Sequence, residues 1–115
     1  MSLLMRAELL DQTVVLALSG AVVYQNPEQI PGAVRAAIVR WAPEAILLDL
    51  ADVRVLDAAG IAALLDGHRA VSWAGISFAL VNVDAFVLGQ LRDVGVASLI
   101  RAQQPAEEDR ATVDV

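Results

Sequence analysis

The stretch Ala45–Leu65, AILLDLADVRVLDAAGIAALL, decides the fold. Its first six residues, Ala45–Leu50, are apolar except for Asp49 and read as a strand. Asp52, Val53 and Arg54 then read as a polar turn, and Val55 and Leu56 as a short return to apolar character. Asp57 stands where its carboxylate can cap a helix begun by Ala58, Ala59, Gly60 and Ile61. A capping Asp accepts hydrogen bonds from the free N–H groups of the first turn, and its charge opposes the positive end of the helix dipole. Strand, loop and helix are therefore expected, with the helix N-terminus presented at the edge of the fold. Function in α/β units gathers at such strand ends and helix starts.

The same residues carry a resemblance. Leu56, Asp57, two small residues (Ala58 and Ala59), Gly60 and Ile61 follow a strand that ends in an Asp-bearing turn. This order resembles the signature of the STAS domains, a family that includes bacterial anti-sigma factor antagonists. In its regulatory members the second small residue is a Ser or Thr that a partner kinase phosphorylates. Here that position is Ala59, which has no hydroxyl. STAS domains also often carry Gly, two residues and Asp at the place in the second strand where this chain reads Gly20, Ala21, Val22 and Val23. The resemblance covers roughly Leu3 to Arg101 and implies the order β-β-α-β-α-β-α-β, commonly with one more helix.

The rest of the chain is consistent with that order when read from its residues. Leu3–Leu10 and Thr13–Val23 read as two strands joined by a tight turn at Asp11 and Gln12, hence antiparallel. The run Val14–Leu18 is too apolar for a strand with one wet face, and so belongs inside the sheet. Gly20 interrupts it and predicts a bulge or a close backbone approach. Tyr24–Gln29 reads as loop. Pro31 fits the first position of a helix in which Ile30, Val34, Ala37, Ile38 and Trp41 form one buried stripe, and Pro43 ends it. Ile76–Val81 reads as a strand, and Asn82–Asp84 as a turn with Asp84 capping a helix through Val94. Val87, Leu88 and Leu91 face inward on that helix, Gly95 stops it, and Val96–Ile100 forms a last strand. The fold class expected is α/β: a single STAS-like domain over residues 1–101. Its sheet is mixed and mostly parallel, with about five strands, an initial antiparallel pair, and three to four helices. Residues 102–115 form an acidic C-terminal tail or a short helix.

Composition narrows the function. A chain of 115 residues holds one core. A net charge of −6 without a basic cluster argues against nucleic acid and anionic membrane surfaces as partners. The absence of cysteine excludes disulfides, thiolate catalysis and thiolate metal sites. No uncharged run reaches the ~18 residues needed to span a bilayer, and no secretory leader is legible, so a cytoplasmic protein without membrane insertion is expected. All eight basic residues are Arg, a usage associated with GC-rich bacterial genomes.

Chemistry is sparse. One histidine rules out a two-His metal site, and His68 falls on the inward arc of the helix after Asp57, where a hydrogen-bonded core or boundary role is expected. No phosphate-cradling glycine loop and no nucleophile elbow is present. Asp49, Asp52 and Asp57 are the one set of carboxylates that could meet around Mg²⁺, but Asp57 has a cap to make and Asp52 a turn. The expectation is no enzyme, no cofactor and no metal.

The helix after Asp57 divides into two faces at 3.6 residues per turn. Ile61, Leu64, Leu65, His68 and Val71 are expected to face the sheet, and Ala59, Ala62, Ala63, Asp66, Arg69, Ala70 and Trp73 to face outward. Small residues let another backbone approach closely, and Trp is enriched among interface anchors. Alanines are also good helix formers on a wet surface, the plainer reading. The resemblance favours an interface, with Asp57, Ala58, Ala59, Gly60, Ala62, Ala63, Asp66 and Arg69 as the partner-binding residues. It implies docking on an anti-sigma factor, a kinase-like ATP-binding protein, without a phosphorylation switch at Ala59. The alternatives are a scaffold or accessory unit of a signalling assembly or transporter complex, and sensing of a small ligand near Asp57. A homodimer stays open.

Overall fold

A computed structural model describes residues 3–23 and 28–93. The elements are β1 (Leu3–Leu10), β2 (Thr13–Val22), α1 (Gln29–Trp41), β3 (Ala45–Leu56), α2 (Ala58–Ala74), β4 (Ser77–Val81) and α3 (Ala85–Asp93). The sheet order is β1-β2-β3-β4; β1 and β2 pair antiparallel, and β2–β3 and β3–β4 pair parallel. This is the expected α/β fold. The expected fifth strand at Val96–Ile100, the stop at Gly95, the domain limit at residue 101 and the tail all lie outside the described residues.

The hairpin forms where two-residue turn chemistry placed it. Asp11 takes φ 60°, as the first central residue of such a turn requires, and Leu10 pairs with Thr13. One face of the sheet is apolar throughout: Val14, Leu16 and Leu18 on β2, Ile46, Leu48 and Leu50 on β3, and Leu80 on β4 are all buried. The alternate positions, Val15, Ala17, Leu47, Asp49 and Val81, are half-buried. Helices α1 and α2 cover the apolar face, with Ile30 and Val34 of α1 meeting Gly67 of α2. β2 is an inner strand, as its apolar run requires.

Two expectations are corrected. The polar turn at Asp52–Arg54 does not exist: β3 runs unbroken to Leu56. β2 keeps pairing with it through register shifts between Ala17 and Ser19 and between Gly20 and Ala21. The extra residues at both shifts lie on β3, and Gly20 of β2 faces them at φ 105°, a backbone conformation that favours glycine. Helix α1 begins at Gln29, so Pro31 sits inside its first turn and not at its first position. The first N–H groups of a helix have no acceptor within it, so Pro costs little there. Ile30, Val34 and Ala37 are buried as expected, and Ile38 and Trp41 are half-buried.

Candidate functional site

The end of β3 and the start of α2 form a junction pinned from three sides. The Asp57 carboxylate Oδ1 accepts from the Gly60 N–H at 2.8 Å, and the Asp57 carbonyl accepts from Ile61 N–H at 2.9 Å. The Asp57 N–H in turn donates to the Val22 carbonyl at the end of β2, at 3.3 Å. One residue earlier, the Leu56 carbonyl accepts from Gln90 Nε2 of α3 at 3.0 Å. Gly60 is buried on the Val22 carbonyl: a Cβ placed there would overlap that oxygen. The Asp-x-x-Gly spacing thus has two jobs here. Asp57 starts the helix, and Gly60 lets the helix start lie on the neighbouring strand.

Most of the residues expected to meet a partner are accessible. Ala58, Ala62, Asp66 and Arg69 are exposed, and Ala59 and Asp57 are half-buried. Asp66 and Arg69 pair with each other at 2.7 Å on this outer face. Trp73 is 91% exposed at its far end. Two of the expected partner-binding residues are corrected: Gly60 is buried on Val22, and Ala63 is 2% exposed and belongs to the core. With Gly60 and Gly67 it forms the side of α2 that lies against β2 and α1, so its small size serves packing within the chain. The inward arc is turned accordingly. Gly60, Ile61, Ala63, Leu64, Gly67 and Val71 are buried, whereas Leu65 and His68 are half-buried. His68 contacts Phe78, with ring centroids 5.5 Å apart, and lies 3.4 Å from the Ser72 hydroxyl, a boundary position as expected.

The three aspartates do not converge. Asp49 accepts from the Ala51 N–H and from Asn82 Nδ2, Asp52 is exposed beside Arg54 at 3.8 Å, and Asp57 caps α2. Among the described residues no three His, Asp or Glu side chains are grouped to hold a metal. No described helix is long and apolar enough to cross a membrane.

Two residues of this region carried no sequence signal. Gln90 ties α3 to the β3 end, and its Oε1 is buried without a partner among the described residues. Phe86, one turn before Gln90 on the same stripe of α3, is 68% exposed. Asp84 caps α3 by accepting from Val87 N–H at 2.9 Å, and so fixes where Phe86 stands.

The sequence model of the STAS domain matches residues 5–111. No curated protein matches the chain. Among solved structures, an anti-sigma factor antagonist from Mycobacterium paratuberculosis is similar with a TM-score of 0.74 at 19% identity, over 86% of this chain and 83% of that one. The anti-sigma factor antagonist SpoIIAA in its unphosphorylated form is similar with a TM-score of 0.74 at 19% identity, over 97% of this chain and all of that one. A sulfate transporter family protein from Wolinella succinogenes is similar with a TM-score of 0.71 at 18% identity, over 84% and 77%. At these identities the structural likenesses speak for the fold, and the match across residues 5–111 shows that the chain belongs to the STAS domain family.

Proposed function

We propose that the chain is a protein-binding regulatory module resembling an anti-sigma factor antagonist, which docks through the exposed start of α2 and is not switched by phosphorylation there. The observation that carries this reading is the surface itself. A helix start held by Val22, Gly60 and Gln90 presents Ala58, Ala59 and Ala62, three methyl groups and no hydroxyl. A flat, rigid surface of small side chains lets a partner's backbone come close at little ordering cost. A phosphate at position 59 would add nearly two negative charges within such a contact and beside Asp57, which would break it; Ala59 cannot receive one. The chain therefore stays in its binding form. The partner of matching kind is an anti-sigma factor, a kinase-like ATP-binding protein. No catalytic role is proposed: Asp49 and Asp57 are spent on backbone and side-chain hydrogen bonds, and His68 packs against Phe78.

Affinity capture from the native cell extract tests this, with Ala62→Arg as control bait. Recovery of an ATP-binding anti-sigma factor by the native bait alone supports the reading. Ala62→Arg or Ala59→Asp is expected to weaken that complex about tenfold or more. A second reading, an accessory unit of a transporter or signalling assembly, is favoured by the likeness to a sulfate transporter family protein. Recovery of a transporter subunit, or of the same proteins on both baits, would put it first.

A further inference from the structure

Strand β1 is the outer strand of the described sheet, and its eight residues carry no Pro and two charges of opposite sign, Arg6 and Glu8. An edge of this length is a template for pairing, and its charges admit only a strand that sets opposite charges against them. Leu10 and Thr13 close the two-residue turn, so Leu10 exchanges its backbone hydrogen bonds with β2, and bonding to β2 then alternates back along the strand. Leu3, Met5, Ala7 and Leu9 consequently turn their N–H and C=O groups outward. The Leu3 carbonyl, at the far end of that row, is taken by Gln29 Nε2 at 3.2 Å. Among the described residues, the outward groups of Met5, Ala7 and Leu9 remain.

We propose that this edge binds a second copy of the chain, antiparallel, with Ala7 facing Ala7 across a two-fold axis. That register is the one in which the strand complements itself. Ala7 pairs with Ala7, and Met5 with Leu9 of the second copy, each through outward-facing backbone groups. Between these bonded pairs, Arg6 lies opposite Glu8 of the second copy, and Leu4 opposite Leu10. These are non-hydrogen-bonded positions, where side chains come closest. Parity agrees. Leu4, Arg6, Glu8 and Leu10 share the face away from α1, opposite Ser19, Ala17, Val15 and Thr13, whereas Met5 and Leu9 share the face of Leu18 and Val14.

The surface state of these residues fits that occupant. Leu4, Leu9 and Leu10 are 67%, 42% and 51% exposed, and Arg6 and Glu8 make no ion pair among the described residues. A mainly apolar groove of about 310 Å³ also runs between α1 and this edge, lined by Met5, Ala7, Leu16, Ala37 and Trp41 with Arg40 as its one charged member. Leu9 of the second copy, opposite Met5, stands at its mouth. The two-fold makes each contact occur twice, as an isologous interface requires.

Sedimentation equilibrium of the full chain and its variants tests the proposal. The wild-type chain is expected to form dimers. Arg6→Glu and Glu8→Arg should each weaken them about tenfold, since each sets two pairs of like charges face to face. The double variant Arg6→Glu/Glu8→Arg should restore the dimer, because the swapped charges again meet opposites. Ala7→Pro should be monomeric with an unchanged circular dichroism spectrum, as Pro is tolerated on an edge strand where the N–H faces solvent. A monomeric wild-type chain, a dimer that survives Ala7→Pro, or a double variant no better than the singles would overturn the proposal. If Ala7→Pro does not fold, the charge swap alone decides.

Discussion

Gly60 lies on the carbonyl of Val22 so closely that no side chain fits between them. Helix α2 therefore meets the end of β2 through backbone, and the obstructing atom cannot swing away as a side chain would. Gly60→Ala should destabilise the domain by about 3 kcal/mol, the upper range of overpacking costs. The better helix propensity of Ala offsets this by at most about 1 kcal/mol. Urea unfolding measures the difference; a variant as stable as the parent would show that the helix start is not seated on β2.

Asp57 contributes in a different way, through the hydrogen bond its carboxylate accepts from Gly60. Asp57→Ala leaves the first-turn N–H without that acceptor and should cost about 1 kcal/mol. Asp57→Asn keeps an oxygen acceptor and loses only the charge–dipole part, so it should recover more than half of the loss. Thermal unfolding of the two variants side by side checks the order, which reverses if the carboxylate is not acting as a cap.

How much of this was legible in the sequence depended on whether a residue had one physical meaning or two. Asp11–Gln12 between alternating strands means a hairpin, and Asp57 or Asp84 before an apolar helix means a cap, and the structure has all three. Asp52 and Arg54 had two meanings. Flanking the buried Val53, they fit a turn and equally the exposed side of a strand, and strand won because β2 goes on pairing past the extra residues of β3. Ala63 also had two meanings, since a small residue suits both open solvent and a tight internal seam. Only the position of α1, fixed by contacts remote in sequence, separates them. Gln90 and Phe86 were not legible at all, because their roles depend on where α3 lies over the end of β3.

Gly67 and Gly60 share a seam but should respond oppositely to alanine. A Cβ at Gly67 would meet Ile30 Cγ2 at 3.4 Å and Val34 Cγ2 at 3.5 Å, ordinary contact with side-chain methyls. Gly67→Ala should therefore be neutral or stabilising by up to about 1 kcal/mol, as helix propensity gains without a clash. Gly67→Leu has no such room and should destabilise by about 2 kcal/mol by pushing α1 off the seam. A strong loss in Gly67→Ala, read from denaturant midpoints, would mean the α1–α2 seam is tighter than the structure has it.

Phe86 is the sharpest separation between folding and binding in this domain. It is two-thirds exposed, so Phe86→Ala removes little buried surface and should change stability by no more than about 0.5 kcal/mol. Its place on α3 is nonetheless fixed, by the Asp84 cap before it and by Gln90 one turn after it, which reaches the residue preceding Asp57. An exposed aromatic side chain on the helix whose Gln90 reaches the residue before Asp57 is of the type enriched among interface anchors. If the start of α2 is the docking surface, Phe86→Ala should weaken the captured complex about tenfold while leaving the unfolding curve in place. Trp73, still more exposed and at the other end of α2, supplies the control: Trp73→Ala should change neither. Titration of both variants against the same partner checks this. Loss of binding with Trp73→Ala alone would move the interface to the opposite end of the helix.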